Sequence, residues 1–218
     1  MPVPSDKNIK LLIDEAYNIW ADSYDTNENK TRDLELAVGK SILGNRRFSK
    51  IIELGCGTGK NTVWLIEKCD SLLGVDFSSE MLAKAKWKIT SNKVEFVQAD
   101  LLKEWKFKNQ SADLITASLV LEHVSNLDFI FSEANKSLSD KGLFYICELH
   151  PFKQYAGSKA SFEINSEIVK LETYVHHISA YLDSANKSYF KVLEINEWFD
   201  DEEKAGLPRL VSFVFEKG

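Results

Sequence analysis

A short apolar strand that runs straight into a cluster of glycines restricts this chain more than any other feature. Lys50-Ile51-Ile52-Glu53-Leu54 leads into Gly55-Cys56-Gly57-Thr58-Gly59, and a helix is expected over 60–68. Such a turn places backbone N–H groups at a helix N-terminus, on the carboxyl edge of a sheet, where open α/β sheets bind ligands. The flanking pattern agrees. Residues 71–76, 94–97, 112–117 and 143–149 read as further strands, the last nearly all apolar, as a strand covered on both faces must be. Helices alternate with them. Ser78 or Ser79 is the N-cap of a helix reaching Lys88, with Glu80 in its first turn and lysines in its later turns. Leu127, Ile130, Phe131, Ala134 and Leu138 recur at helical spacing behind an N-cap at Ser125 or Asn126, and Asp140-Lys141-Gly142 is the expected closing turn.

Five alternations between residues 50 and 150 predict an α/β fold: a mostly parallel sheet with helices on both faces. After a helix over 177–187, residues 190–198 and 209–215 alternate around the acidic loop 200–203 and predict an antiparallel C-terminal hairpin added to that sheet. Helices over 9–20 and 32–43 precede it. One domain over 1–218 is expected, with an N-terminal helical lid (1–45), a ligand-binding core (46–150), a cover (151–176) and the final helix and hairpin (177–218).

The loop chemistry narrows the ligand. A dinucleotide-binding loop wants its third glycine one position later, where Lys60 stands. Glu53 would also set a fixed negative charge near a pyrophosphate, whereas a cationic or amine-bearing ligand tolerates it. Asp76, ending the second strand, is placed to accept hydrogen bonds from both hydroxyls of a ribose. A tight turn with no ligand is the plainer reading of three close glycines, and Asp76 weighs against it.

With Ile52-Glu53-Leu54-Gly55-Cys56-Gly57-Thr58-Gly59, Leu73-Gly74-Val75-Asp76-Phe77-Ser78, Val97-Gln98-Ala99-Asp100, Asp113-Leu114-Ile115 and Leu121-Glu122-His123-Val124, residues 20 to 150 resemble the class I S-adenosylmethionine-dependent methyltransferases. The resemblance is to the small-molecule branch that includes the ubiquinone and menaquinone C-methylases and the malonyl-carrier-protein O-methylases. It implies a Rossmann-like seven-stranded sheet, S-adenosylmethionine as cofactor with S-adenosylhomocysteine as product, and a small-molecule methyl acceptor. It also implies residue roles. Gly55, Cys56, Gly57 and Gly59 let the backbone approach the cofactor, and Glu53 lies near its amino group. Asp76 and Phe77 sit at the ribose, Asp100 and Leu101 at the adenine, and Ser118 with Leu119 at the methionine end. Tyr24 resembles the N-terminal tyrosine that closes over the active site. The family's paired glycines after the fifth helix are reduced here to Gly142 alone.

Methyl transfer from a sulfonium needs an in-line nucleophile and a dry chamber, and a base only where the acceptor must lose a proton. No metal ligand set is therefore expected. Among the candidate catalytic residues, His150 ends the fifth strand at the carboxyl edge and reads either as a base or acceptor-orienting group or as a loop hydrogen-bond partner. His123 reads as a positioning residue, with direct catalysis as the alternative. His176 and His177 precede the last helix, where one could face the acceptor and capping or exposure is the plainer role. Phe152 and Tyr155 in the cover, with Tyr17 and Trp20 in the first helix, are candidate walls for a planar acceptor, against the alternative of a cover that packs on itself.

Composition closes off other classes. Thirty-three acids against 27 bases give a net charge of −6, which disfavours a general nucleic-acid binder. Cys56, Cys69 and Cys147 form no metal or disulfide spacing, and no apolar run is long enough to span a bilayer. With no signal-like N-terminus, a cytoplasmic protein without membrane insertion is expected. Ser118-Leu119-Val120-Leu121 stands where methylases of amide or adenine nitrogens carry an Asn-Pro-Pro-Tyr-type tetrad, so those acceptors are disfavoured. A nicotinamide-dependent oxidoreductase and a non-catalytic S-adenosylmethionine-binding protein are the rival readings.

Overall fold

The computed structural model describes residues 13–26, 28–107, 111–158, 161–164, 167–201 and 203–218, with backbone alone over 161–164 and 167–170. The first eight of the described residues form helix α1 (Ile13–Trp20), and α2 (Lys30–Leu43) follows, capped by the Asn29 side chain. Residues 9–12 of the expected first helix lie outside the described residues. The core then runs β1 (Phe48–Leu54), α3 (Thr62–Leu65), β2 (Cys69–Asp76), α4 (Ser79–Lys88), β3 (Val94–Gln98), β4 (Ala112–Ser118), α5 (Leu127–Ser137) and β5 (Leu138–Leu149). After it come α6 (Pro151–Tyr155), a small hairpin β6 (Ser161–Ile164) and β7 (Glu167–Lys170), α7 (Ile178–Lys187), β8 (Phe190–Trp198) and β9 (Leu210–Lys217).

Seven strands make one sheet in the order β3-β2-β1-β4-β5-β9-β8. The first five are parallel, and β9 pairs antiparallel with both β5 and β8. The period-2 alternation of the strands sorts their side chains into two cores. Ile52, Leu54, Phe144 and Ile146 pack with Ile130, Phe131 and Ala134 of α5 and with Tyr181 and Ala185 of α7. Ile51, Tyr145 and Cys147 face the other way, onto Val38 and Leu43 of α2 and Trp64 and Leu65 of α3. The chain order reverses between β1 and β4, so the loops after these two strands splay apart and open a crevice at their carboxyl ends.

Three local expectations change. Asn126, not Ser125, caps α5, accepting from the Phe129 N–H. Ser78, not Ser79, caps α4. Asp140-Lys141-Gly142 lies inside β5 rather than in a turn before it. Leu138 pairs with Ala112, and the register then jumps to Leu143 opposite Leu114. Lys141 takes up the bulge at φ +60°, and Gly142 sits so close to the carbonyl oxygens of Ser139 and Ala112 that a Cβ would come within 2.9 and 3.0 Å of them. Among the described residues no helix is long and apolar enough to cross a membrane.

Candidate cofactor and acceptor site

The crevice holds two recesses with shared walls. The outer one is a cavity of about 780 Å³ bounded by the glycine loop, the ends of β2 and β4, and α1. The inner one, about 50 Å³, lies behind the loop, and Tyr24, Gly55, Gly57, Ser118 and Leu119 line both.

Each glycine of the loop has its own reason. All three adopt positive φ, which L-residues with a Cβ avoid. At Gly57 a Cβ would meet nothing within 4 Å, so it would project into open space beside the crevice. At Gly55 it would strike Val120 Cγ2 at 2.5 Å, and at Gly59 it would strike Ile89 Cδ1 at 2.8 Å. Gly59 therefore serves the packing of the loop on the end of α4, and it lines neither recess. Asp76 locks the loop: its Oδ2 accepts the Gly57 N–H at 2.8 Å and its Oδ1 the Ser78 N–H at 2.9 Å. Burial raises its pKa, against the pull of these N–H donors. Beyond β4, Leu119 carries the chain through φ +54°, a strained value for a leucine that turns Ser118, Leu119 and Val120 onto the cavity.

The inner recess is polar and buried. Glu53 accepts from Thr62 Oγ1 at 2.5 Å, and burial pushes its pKa up to about 8. Glu35 of α2 accepts from Asn61 Nδ2, at 3.1 and 3.0 Å, and from the Ser118 side chain, and burial raises it too. Arg32 stands beside them, its guanidinium 4.1 Å above the Tyr24 ring and donating to the Tyr24 carbonyl oxygen. Two carboxyls and a guanidinium in a recess this small suit the ammonium and carboxylate of an amino acid. In the outer cavity, Asp76, Phe77, Asp100 and Leu101 line part of the wall, as a ribose and a base require. Asp100 Oδ1 accepts the Leu102 N–H, leaving Oδ2 near Lys103 at 3.2 Å. The residues present thus fit S-adenosylmethionine from its amino-acid end to its adenine, with Glu53 and Cys56 on the inner recess and Asp76, Phe77, Asp100 and Leu101 on the outer cavity.

The rest of the cavity wall, which adjoins Phe77 through Tyr17, is built from Ile13, Asp14 and Tyr17 of α1, Val120, His123 and Val124 beyond β4, and Glu172. Tyr17 and His123 meet there: the phenol oxygen lies 2.8 Å from Nε2, and Nδ1 lies 3.0 Å from the Glu172 carbonyl oxygen. Burial lowers the His123 pKa and raises that of Tyr17 well above its ordinary value. Tyr24 stands on the cofactor side, under Arg32.

Several expected acceptor residues are elsewhere. His150 is fully buried but away from both recesses. Its Nδ1 accepts the Phe152 N–H as the N-cap of α6, and its Nε2 contacts Glu197 Oε1 at 2.9 Å. With both nitrogens occupied in this way it ties α6 to β8, and no atom is left over for a base. Phe152 and Tyr155 lie on α6, about half exposed, and also line neither recess. The Tyr155 hydroxyl bonds His177 instead. Trp20 is buried with Ala16 and Leu171 in a small core on the inner side of α1. His176 Nε2 bonds the carbonyl oxygens of Val124 and Leu121, at 2.7 and 3.2 Å, and so pins the cover to the loop after β4. Of the residues not foreseen, Arg32 and Glu35 had a legible signal: they fall at i, i+3 on the inward face of α2, where apolar residues belong. Asp14 and Glu172 had none, because only the folded chain brings them to the cavity.

Comparison with known proteins agrees with the geometry. Residues 52–146 match the family model described as the methyltransferase domain. An uncharacterised methyltransferase of Emericella nidulans is 25% identical over 84% of this chain and 77% of its own length. The ubiquinone biosynthesis O-methyltransferase of Pelagibacter ubique is 26% identical over 56% of this chain, and the match spans half the length of that relative. Among solved structures, an S-adenosylmethionine-dependent methyltransferase from Mesorhizobium loti has a similar fold, with a TM-score of 0.67 at 20% identity over 79% of this chain and 92% of that one.

Proposed function

We propose that this class I S-adenosylmethionine-dependent methyltransferase passes the methyl group to a small-molecule acceptor bound between α1 and the loop after β4. The observation that carries the reading is the outer cavity. Its volume falls within the ~300–1,000 Å³ of small-ligand sites, and its wall joins two chemistries. Asp76, Phe77, Asp100 and Leu101 suit the nucleoside. Beside them stands a tyrosine–histidine pair, Tyr17 and His123, that a cofactor alone does not use. The cofactor supplies an activated methyl group on a cationic sulfur. The chain supplies binding and orientation.

In this reading Gly55 and Gly57 admit the cofactor, Asp76 accepts from its ribose, and Glu53 and Glu35 face its ammonium across from Arg32. The mouth is shaped for a small acceptor by Ile13, Tyr17, Val120 and Val124. Titration calorimetry tests the assignment. S-adenosylmethionine and S-adenosylhomocysteine should bind one per chain, while NAD gives no heat. NAD binding without a response to S-adenosylmethionine would overturn it. Tight binding without methyl transfer to any metabolite would leave a cofactor-sensing protein instead.

A further inference from the structure

We propose that Tyr17 and His123 form a proton relay, and that the acceptor is therefore a group that sheds a proton on methylation, a hydroxyl or an amine, and not a carboxylate. The inference rests on the methyl-transfer reading above and adds the acceptor class to it.

The direction of the relay follows from the hydrogen bonds. A carbonyl oxygen only accepts, so the His123 Nδ1 atom that lies 3.0 Å from the Glu172 carbonyl must carry a hydrogen. In the neutral ring Nε2 then holds a lone pair, and the Tyr17 hydroxyl 2.8 Å away must donate to it. The phenol oxygen is left with its own lone pairs in the cavity, which Tyr17, His123 and Glu172 all line. The ring of Tyr17 is held edge-on by both Phe77 and His123, with centroids 5.6 and 5.5 Å away, so its oxygen has little freedom to turn elsewhere.

The chemistry balances without a further reactant. An acceptor X–H gives its proton to Tyr17 Oη as the tyrosine's own proton passes to His123 Nε2. The lone pair freed on X forms the bond to the methyl carbon, and the electrons of the broken carbon–sulfur bond stay on sulfur. His123 ends as imidazolium, donating from both nitrogens, and returns the extra proton to water. A carboxylate acceptor is already ionised at neutral pH and would leave this machinery idle.

The relay has three parts on three segments. Tyr17 comes from α1, His123 from the loop after β4, and the Glu172 carbonyl from the chain following β7. The Tyr174 N–H bonds the Glu122 carbonyl oxygen at 2.7 Å and keeps that last segment in place. His123 acts through Tyr17 and is a positioning and relay residue, while Tyr17 is the one that touches the acceptor.

The test works with a mixture of acceptors. The protein is incubated with S-adenosylmethionine tritiated in the methyl group and a low-molecular-weight metabolite extract, and the product is treated with mild base. Methyl esters release volatile tritiated methanol, whereas methyl ethers and N-methyl or C-methyl products keep their label. Base-stable label on oxygen or nitrogen is expected, and label on carbon would overturn the acceptor class. Tyr17→Phe should lower kcat by about 10²- to 10⁴-fold while cofactor Kd stays within a few-fold. His123→Ala should fall similarly and regain rate with added imidazole, which a purely structural histidine would not allow. Base-labile label, a wild-type rate in Tyr17→Phe, or no rescue by imidazole would each overturn the relay. Cofactor binding with no label in any product would instead overturn the methyl-transfer reading on which it stands.

Discussion

Individual residues in the crevice separate binding from packing, and single substitutions read the difference. Gly57 and Gly59 look alike in the sequence and do different work. A side chain at Gly57 meets no protein atom, so Gly57→Val should abolish cofactor binding with only the modest cost, about 1–2 kcal/mol, of a left-handed L-residue. At Gly59 the added Cβ collides with Ile89, so Gly59→Ala should show first as a lower Tm. Calorimetry and thermal melts on the two variants would tell these roles apart. Asp76→Ala should weaken the cofactor by about 1–3 kcal/mol, with unchanged affinity removing Asp76 from the site. The pH profile belongs to His123. Burial holds its pKa below the ordinary 6.5, so the relay is ready above that value. With an amine or hydroxyl acceptor, kcat should rise on an acid limb below pH 6.5 and level off above it. The ionisable groups that bear on the pair are Tyr24 after α1, Asp76 at the end of β2, Glu122 beside the histidine and Glu148 on β5. Asp14 and Glu172 line the same cavity.

At the scale of elements, the N-terminal segment is fastened to the core by charge. Asp22 and Asp25 after α1 pair with Lys84 and Lys88 of α4, at 2.9 and 2.6 Å, and Asp33 of α2 pairs with Lys60 at 2.8 Å. The acids all lie on the N-terminal segment and the lysines all lie on the core. Thr58 of the glycine loop joins the same knot by donating to Asp25 at 2.6 Å. Exposed pairs of this kind are screened by salt. Cofactor release should therefore quicken as salt is raised from about 0.05 to 0.5 M, and Lys84→Ala with Lys88→Ala should remove most of that dependence in a stopped-flow measurement. Helical spacing and capping residues made α2, α4 and α5 readable in advance. The hairpin β6–β7 was not, because four-residue strands give too short a pattern to distinguish from loop.

For the molecule as a whole, the largest electrostatic fact is the burial of acids near the crevice. Glu53 and Glu148 are pushed up to about 8 and Glu122 to about 7, each chiefly by burial. A carboxyl raised in this way keeps a proton in the folded state that the unfolded chain releases near 4.5. Its stabilising share is complete below that value and is lost as pH rises through 7–8. The buried His150 and the partly buried His123 and His176 are shifted down and withdraw stability below 6.5. Thermal stability should accordingly peak on the acid side of neutrality, and Glu148→Gln should flatten the decline between about pH 4.5 and 8. A peak at alkaline pH would mean that these acids are ionised in the fold. The sequence by itself determined the α/β alternation, the glycine turn and the cofactor class, because each rests on contacts close along the chain: apolar periodicity, caps, and a loop whose neighbours are its own strand and helix. Only the tertiary structure decided which histidine lines the cavity. His150 and His123 both follow strands at the carboxyl edge. The first is drawn to Glu197 of β8 and the second to Tyr17 of α1, partners 47 and 106 residues away, and no local pattern reports on pairings so distant.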